Sequence, residues 1–468
     1  MVTQLYAKAH RKIRDIKGPL IFMEPVKDVR YGERVTIVDS QDHRKSGQVL
    51  DVGERAVVIQ VFEGSDGLDK KGTAVFFTGD VVKLGLSEDM LGRVFDGSGN
   101  PRDGLGDVYP EVELPITGSP LNPVSRQQPS EWIQTGISTI DIMNTLVKGQ
   151  KLPIFTGAGL PANNVAVQIA RQVIRQSGEE LIVVFAGMGI TSREYAYFYK
   201  EFQESGALAN SVLFLNLADD PTVERILTPK LALTTAEYFA FQKHRDVLVI
   251  LTDMLNYANA LREISSAREE IPGRRGYPGY LYTDLATNYE RAGIVRGQKG
   301  SVTQLPIVTM PNDDITHPVI DLTGYITEGQ IILSRELDRK GYYPPISPLP
   351  SLSRLMNLGI GPDKTREDHK QLSDQLYALY AQGKELERLT AIIGNEGLGS
   401  TERQIIRFTE RFEGEYINQG DQPRSLEESL ALGWDLLSEV SRGELRRVED
   451  KYVDKYMPKK AAAGTPNA

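Results

Sequence analysis

Cysteine is absent from this chain of 468 residues, and histidine is rare, with five residues. The absence of cysteine excludes disulfide frameworks, thiolate catalysis and cysteine-based zinc sites. With so few histidines, a histidine metal cluster is not expected either. Asp313, Asp314 and His317 lie close together in the sequence, but their spacing fixes no coordination geometry. We therefore interpret them as a polar loop rim and predict no metal site.

Long apolar runs are also lacking. The run VLVIL at residues 247–251 is far shorter than the roughly 20 residues that cross a bilayer. The N-terminal start has basic residues but no apolar core of the length that a secretory signal needs. We therefore expect an intracellular protein whose attachment to a membrane would come through partners.

A basic charge balance is missing as well. The 54 lysine and arginine residues are outnumbered by 63 aspartate and glutamate residues, which gives a net charge of -9. A protein that holds nucleic acid by general neutralisation of phosphates carries the opposite balance. The composition therefore predicts no nucleic-acid partner, although it does not exclude local basic patches.

The length and the hydrophobic content of 40% predict about three domains. In the first part of the chain, short β-rich runs alternate with Gly/Asp turns, which is typical of a small barrel. These runs lie at residues 34–38, 47–50 and 56–62. A Gly/Pro-rich passage that includes residues 95–101 suits a connection between domains.

Beyond Lys151, buried strands alternate with amphipathic helices, which predicts a mostly parallel sheet covered on both faces. The predicted strand and helix pairs occupy residues 152–155 and 165–176, 181–186 and 192–204, 212–217 and 222–244, and 247–251 and 257–268. Ligands of such sheets bind at the carboxyl ends of the strands. Beyond Arg366, helical runs at residues 368–382 and 426–439 dominate.

The predicted fold is a multidomain α/β protein. It has an N-terminal small β-barrel at residues 1–85 and a central P-loop-like parallel α/β nucleotide-binding domain at residues 86–365. Residues 86–130 of the central domain form the connecting segment. A C-terminal helical domain occupies residues 366–468, and we expect residues 459–468 to be a frayed tail.

The first strand, loop and helix of the central domain stand where a P-loop would cradle phosphates with backbone amides. The loop reads Gly157-Ala158-Gly159-Leu160-Pro161, followed by Ala162 and Asn163. It lacks the lysine that contacts the β- and γ-phosphates and the hydroxyl that binds Mg²⁺. Pro161 removes a further backbone donor. Taken alone, the segment fits an ordinary turn between a strand and a helix better than a phosphate loop.

Two strand exits bear on catalysis. Asp253 follows the strand at residues 247–251, where P-loop proteins place a carboxylate near Mg²⁺. A carboxylate that caps the following helix explains the same residue equally well. Ile190 ends the strand before residues 192–204, at a place where a glutamate would activate water. An isoleucine cannot position water, so this exit is not catalytic.

Several longer segments resemble the B subunit of the archaeal and vacuolar type rotary ATPases, a family related to the alpha and beta subunits of the F-type enzyme. They are residues 133–141 (IQTGISTID), 149–155 (GQKLPIF), 272–280 (PGRRGYPGY), 300–304 (GSVTQ), 321–330 (DLTGYITEGQ) and 350–355 (PSLSRL). The resemblance runs from about residue 18 to about residue 456 and covers all three predicted domains. Ser347 departs from the Asp or Asn usual in the family, so a local hydrogen bond is expected to differ.

The resemblance implies roles for individual residues. Arg354, after Ser351 and Ser353, resembles an arginine finger that reaches nucleotide on a neighbouring subunit. The expected nucleotide-binding set is Gly157, Ala158, Gly159, Leu160, Pro161, Asn163, Asp253, Ser351, Ser353 and Arg354. The degenerate loop is similar to that of the B subunit, whereas catalytic partners keep the lysine and have Gly-Glu-Arg where this chain has Gly189-Ile190-Thr191.

Other residues keep two interpretations. Arg274 and Arg275 lie in a Gly/Pro-rich loop that we place between a helix and the next strand. The resemblance implies contact with a rotating stalk or a neighbouring subunit, and a solvated basic turn is equally compatible. Three tyrosines follow in the same region, Tyr277, Tyr280 and Tyr282. They could stack on a base, but tyrosines spaced in this way more often pack at a subunit interface or a sheet edge.

The resemblance also implies partners and a location. It implies a regulatory subunit, not catalytic alone, that alternates with catalytic A subunits in a hexameric ring. Central and peripheral stalks would link the ring to a membrane sector that moves protons or sodium ions. ATP or ADP with Mg²⁺ would bind at the interface, mainly through the catalytic partner, and none tightly to this chain alone. The complex would sit at the cytoplasmic face of the cell membrane, or on a vacuolar or other endomembrane in a eukaryote.

Two other functions compete with this interpretation. A self-sufficient ring ATPase would need the lysine, hydroxyl and glutamate that the chain lacks. A ring translocase acting on RNA would need an aromatic and basic platform for single strands in the barrel, which the sequence does not show. Both are therefore disfavoured, the second also by the acidic composition.

Overall fold

The computed structural model describes residues 8–177, 181–393 and 398–458, with the backbone alone at residues 392–393. The first seven residues and the expected tail at residues 459–468 lie outside the described residues. The chain forms two compact units. The first contains residues 1–126, 179–308 and 316–326, and the second contains residues 127–178, 309–315 and 327–468.

Strands occur along most of the chain. The strands of the first part are β1 Ala9–His10, β2 Ile13–Lys17, β3 Leu20–Met23, β4 Glu33–Val38, β5 Arg44–Val52, β6 Val57–Val61, β7 Ala74–Val81, β8 Lys83–Leu86, β9 Val94–Phe95 and β10 Val112–Pro115. The later strands are β11 Trp132–Ile133, β12 Leu146–Val147, β13 Ile154–Gly157, β14 Leu181–Ile190, β15 Ser211–Leu217, β16 Asp246–Thr252, β17 Gly293–Ile294, β18 Ser301–Met310, β19 Gly329–Leu333 and β20 Ile346–Ser353.

Helices begin only after the first strands. Those before the C-terminal part are α1 Ser138–Asp141, α2 Ala162–Ser177, α3 Ser192–Glu204, α4 Thr222–Glu237, α5 Met254–Ala267, α6 Leu281–Tyr289, α7 Pro318–Ile326, α8 Arg335–Arg339 and α9 Met356–Gly359. The C-terminal helices are α10 His369–Ile393, α11 Ser400–Arg411, α12 Leu426–Leu437 and α13 Asp450–Tyr456. Wider π-helical turns follow two of them, at Tyr238–Gln242 and Phe412–Ile417.

The N-terminal strands form a curled antiparallel sheet in the order β1-β7-β4-β5-β6-β3-β2. Alternation of side chains explains its core, because in β4 the residues Val35 and Ile37 are buried while Arg34 before them is exposed. Ile21 and Ile59 from neighbouring strands pack in the same apolar cluster. This confirms the predicted N-terminal β domain.

The first unit also contains parallel strands in the order β9-β15-β14-β16-β18. The buried run of β14 lies between β15 and β16, as expected for a strand covered on both faces. Helix α4 packs on this sheet with twelve buried residues. The predicted helix at residues 222–244 is divided, because α4 ends at Glu237 and a π-helical turn continues to Gln242.

In the second unit, β13 pairs in parallel with β19, and β20 pairs antiparallel with β19. These three strands carry the phosphate-loop region and the segment that ends at Arg354. The C-terminal helices pack around an apolar cluster that includes Leu376, Phe408 and Trp434. The predicted C-terminal helical domain is therefore confirmed. Within the ranges that the structure describes, no helix is long and apolar enough to cross a membrane.

Candidate functional site

Two backbone amides of the loop between β13 and α2 donate to carbonyl groups of the loop itself. The Leu160 amide donates to the Gly157 carbonyl over 3.2 Å, and the Ala162 amide donates to the Leu160 carbonyl over 2.8 Å. Pro161 between them has no amide proton. Gly159 has φ 82°, in the left-handed region that glycine adopts without strain. Three consecutive backbone positions of this loop therefore offer no donor to a phosphate.

An ion pair closes the loop. Arg335, the first residue of α8, donates through Nη2 to the Ala158 carbonyl over 2.9 Å. The same guanidinium pairs with both carboxylate oxygens of Asp313, over 2.8 and 2.9 Å. The hydrogen bond from Arg335 lowers the pKa of Asp313 below its ordinary value. A carboxylate and a guanidinium of the chain itself thus lie against the degenerate loop.

Gly157 shows how tightly this pair packs. A Cβ atom at Gly157 would overlap the Oδ1 atom of Asp313 and lie 2.6 Å from Nη2 of Arg335. A triphosphate in this loop would therefore meet a carboxylate, without a lysine or hydroxyl to hold its oxygens or Mg²⁺. The loop thus lacks the side chains that hold a magnesium nucleotide in a P-loop. No motif marked Arg335 in the sequence, because its role depends on a partner 22 residues away.

The predicted residues Ser351, Ser353 and Arg354 lie together at the end of β20. Both serines are buried, at 6% and 7% exposure. The Ser351 hydroxyl donates to the Ser347 carbonyl over 2.6 Å and accepts the Ile332 amide over 2.9 Å. Ser347, which departs from the family pattern, thus contributes its carbonyl to this contact. Arg354 is exposed, and its Nη1 donates to the Thr327 carbonyl over 3.3 Å.

The Ser353 hydroxyl also has partners within the chain. It donates to the Thr145 carbonyl over 2.9 Å and lies 3.0 Å from Nε2 of Gln150. Through these contacts the hydroxyls of Ser351 and Ser353 hold the end of β20 in place. The guanidinium of Arg354, the next residue, is exposed to solvent. The geometry therefore presents one cation, Arg354, on a well-anchored segment.

In the first unit, Asp253 caps α5. Its Oδ1 accepts the Leu255 amide over 2.8 Å, as an N-cap carboxylate does. Ile190, at the end of β14, is buried with 4% exposure. Beside it, Arg225 packs so closely that a Cβ at Gly189 would lie 2.8 Å from its Nε. An apolar side chain, and not a carboxylate, thus occupies this strand exit.

The basic loop differs from the prediction in its surroundings. Arg274 and Arg275 lie between α5 and α6, so their placement between a helix and the next strand was wrong. The short α6 was missed because its buried residues Leu281, Leu285 and Tyr289 span barely two turns. Arg274 is exposed, pairs with Asp321 over 3.3 Å and donates to the Thr316 carbonyl over 2.9 Å.

The three tyrosines have different environments. Tyr277 is buried at 2% exposure, its hydroxyl donates to Asn259 over 2.9 Å, and its ring meets His317 edge-on with centroids 5.6 Å apart. Tyr280 and Tyr282 reach the surface, at 37% and 44% exposure. Tyr277 therefore packs within its unit, whereas the other two remain available for stacking or an interface. Among the described side chains, no group of three His, Cys, Asp or Glu residues is placed to hold a metal ion.

Comparison with known proteins gives matches along most of the chain. The ATP synthase alpha/beta family, nucleotide-binding domain, matches residues 136–353. The beta-barrel domain of the same family matches residues 13–79, and the C-terminal domain of V and A type ATP synthase matches residues 358–457. These three matches follow the same order as the predicted β, α/β and helical parts.

Individual relatives match over nearly their whole length. The V-type ATP synthase beta chain of Thermus thermophilus is 60% identical, with 99% of both chains covered. The B subunit of the A-type ATP synthase of Methanothrix thermoacetophila is 58% identical, with 97% of this chain and 98% of the relative covered. Among solved structures, the ATP synthase subunit NeqB from Nanoarcheaum equitans is 41% identical, with a TM-score of 0.73. That match covers 90% of this chain and 99% of the other.

Proposed function

This chain belongs to the ATP synthase alpha/beta family as a V/A-type B subunit, and we propose that it is the non-catalytic, regulatory subunit of an ion-translocating ATP synthase or ATPase. In this proposal it contributes Arg354 to nucleotide that a neighbouring catalytic subunit holds. The observation that carries the proposal is the contrast between a loop closed by Asp313 and Arg335 and an exposed, anchored Arg354.

The chemistry at Arg354 follows from phosphoryl transfer. Negative charge on the transferring group and the leaving oxygen must be stabilised, and an arginine supplied in trans contributes about a thousandfold or more to turnover. A guanidinium keeps its charge and holds phosphate oxygens with two parallel donors. Since Nη1 of Arg354 bonds to a main-chain carbonyl and not to a carboxylate, the other donors of the guanidinium can turn toward a ligand on another subunit.

The rest of the proposal concerns the assembly. ATP or ADP with Mg²⁺ binds at the interface, mainly through the catalytic A subunit, and this chain alone holds none tightly. Three copies alternate with three catalytic subunits in a ring, and central and peripheral stalks connect it to a proton- or sodium-moving sector. The complex lies at the cytoplasmic face of the membrane. Arg274 and Arg275 contact a stalk or a neighbouring subunit, which the exposure of Arg274 supports.

The test replaces Arg354 by alanine in the assembled complex. We expect turnover of ATP to fall about a thousandfold while the subunit composition stays unchanged. ATPase rate and assembly are measured separately, the latter by native mass spectrometry. The matched control is Arg388→Ala, which removes an arginine of α10 that is 78% exposed and 3.6 Å from Glu385. Normal turnover in an intact Arg354→Ala complex would remove the proposed role.

A second measurement addresses nucleotide binding. Titration of the purified chain with MgATP is expected to show no tight binding, because Asp313 and Arg335 close its own loop. Tight binding or hydrolysis by the chain alone would favour a self-sufficient ATPase instead.

A further inference from the structure

Two consecutive carbonyl groups hold Arg354. The Glu328 carbonyl accepts the Arg354 amide over 2.9 Å, and the Thr327 carbonyl accepts Nη1 of its guanidinium over 3.3 Å. The Glu328 carbonyl also accepts Nε2 of Gln150 over 3.1 Å. The position of the Arg354 main chain and side chain therefore depends on the position of Thr327 and Glu328.

Lys151 fixes Glu328 through three contacts. Oε1 of Glu328 lies 2.8 Å from Nζ of Lys151, and Oε2 accepts the Lys151 amide over 2.8 Å. The Glu328 amide donates to the Lys151 carbonyl over 3.0 Å. The Lys151 side chain is only 4% exposed, and that of Glu328 is 28% exposed. Removal of one partner leaves the other charge poorly solvated and unpaired. This is unfavourable, so we expect the residues around it to shift.

Strands β19 and β20 pack too closely for Glu328 to move without moving its neighbours. Gly329, with φ 138°, pairs with Ser353 in the antiparallel register of β19 and β20. A Cβ at Gly329 would overlap the Leu352 carbonyl oxygen, so the two backbones are in direct contact. A displacement of Glu328 is therefore passed to the residues that immediately precede Arg354.

We propose that Lys151 and Glu328 are positioning residues for Arg354, and that their ion pair holds the two carbonyls that aim its guanidinium. Neither side chain touches the reacting atoms. The inference rests on the proposed role of Arg354, since positioning matters only if that guanidinium meets a phosphate. A misplacement of about 1 Å costs on the order of a hundredfold in rate, which sets the scale of the effect.

The experiment compares Glu328→Gln and Lys151→Met in the assembled complex. Each variant removes one charge and nearly preserves the side-chain volume. We expect either one to lower kcat for ATP hydrolysis about 10- to 100-fold with KM for ATP changed less than about threefold, because the guanidinium acts on the transition state. Combined with Arg354→Ala, neither should lower turnover further, since both act through the same group.

The matched control is Glu413→Gln, which neutralises a buried glutamate that also pairs with a lysine, Lys340, over 2.6 Å. It should cost stability but leave turnover unchanged. A Glu328→Gln complex with normal kcat, a further loss in the double variant, or an equal loss in Glu413→Gln would each overturn the positioning role.

Two outcomes distinguish a failure of the positioning role of Lys151 and Glu328 from a failure of the proposed role of Arg354. If Arg354→Ala keeps normal turnover, the proposed function fails. If Arg354→Ala is slow and Glu328→Gln is normal, only the positioning role fails. Should neither neutral variant assemble, the double variant Lys151→Arg with Glu328→Asp keeps both charges while changing both lengths. It is expected to lower kcat, and a normal kcat would overturn the proposal.

Discussion

Gly157 is the residue at which the closed loop can be tested most directly. The Asp313 carboxylate and the Arg335 guanidinium occupy the space next to its Cα atom. Both side chains are partly exposed, at 46% and 34%. Their ion pair therefore contributes little to stability by itself. The two side chains lie directly beside the loop, against Gly157 and the Ala158 carbonyl.

The substitution Gly157→Ala is expected to lower the free energy of unfolding by about 1 kcal/mol at most, because the atoms that the new methyl group meets are the ends of two exposed side chains, which can move aside. Urea unfolding of the purified chain measures this change. Asp313→Ala alone should leave the free energy of unfolding nearly unchanged, because both partners of its ion pair are exposed. In the double variant, the penalty of Gly157→Ala should largely disappear, because the overlapping carboxylate is gone. Full additivity would contradict the packing of Asp313 against Gly157.

At the scale of elements, local sequence patterns predict some helix ends correctly and others not. Helix α3 begins and ends at the predicted residues, and its beginning is readable in the sequence because Thr191 and Glu194 form a capping box. Helix α10, by contrast, extends beyond the predicted residue 382 to Ile393. Its interior contains Gly383, and only its contact with another helix explains that glycine.

Gly383 allows two helices to approach closely. A Cβ at this position would overlap Oγ1 of Thr409 in α11. Helix propensity alone would make Gly383→Ala stabilising by about 1 kcal/mol. Because the site is already filled, we expect a loss of about 1–3 kcal/mol instead, measured as a lower urea midpoint.

The control for this prediction is Gly414→Ala. Gly414 lies in the π-helical turn Phe412–Ile417, and apart from its chain neighbours and the backbone of its own helix no atom lies within 4 Å of a Cβ built there. This substitution is expected to be neutral or slightly stabilising. If both variants gain stability, the close approach of α10 and α11 does not limit the side chain at Gly383.

At the scale of the whole molecule, the two units contain buried groups whose titration acts in opposite directions. Burial raises the pKa of Glu224 in α4 to about 7, and the charges of Asp96 and Asp220 add to the effect. Burial lowers the pKa of His369, at the start of α10, to about 4. The His369 ring nitrogens lie 3.0 Å from the Ile142 carbonyl and 3.1 Å from the Thr365 hydroxyl.

The signs follow from proton binding in the two states. Between pH 4.5 and about 7, folded Glu224 binds more protons than the unfolded chain, so its unit loses stability as the pH rises. Between about pH 4 and 6.5, folded His369 binds fewer protons, so the stability that depends on it is lost as the pH falls. A rise to neutral pH thus weakens the surroundings of Glu224, and a fall below about pH 6.5 weakens those of His369.

We expect Glu224→Gln to stabilise the first unit by about 1–3 kcal/mol near pH 8 and by much less near pH 5. Hydrogen exchange of α4 amides, corrected for intrinsic rates, measures the difference at each pH. Glu204→Gln is the control, because this glutamate of α3 has a side chain that is 66% exposed. A gain for Glu224→Gln that does not depend on pH would contradict the raised pKa.

The sequence by itself determined the kinds of structure, the family and the chemical losses. Period-two and helical patterns are local, so they predicted the β, α/β and helical parts that the structure and the family matches confirm. The missing lysine and Ile190 are identities that no fold can change. The individual nucleotide-site assignments, including Arg354, and the domain boundaries stay predictions.

Only the tertiary structure decided which side chains lie beside the degenerate loop. Gly157, Asp313 and Arg335 are far apart in the sequence, and no periodicity links a glycine to a carboxylate that packs against it. The same holds for Lys151 and Glu328, whose ion pair spans 177 residues beneath Arg354. Hydrogen bonds and close packing act over a few ångströms in space, so only the folded chain brings these partners into contact.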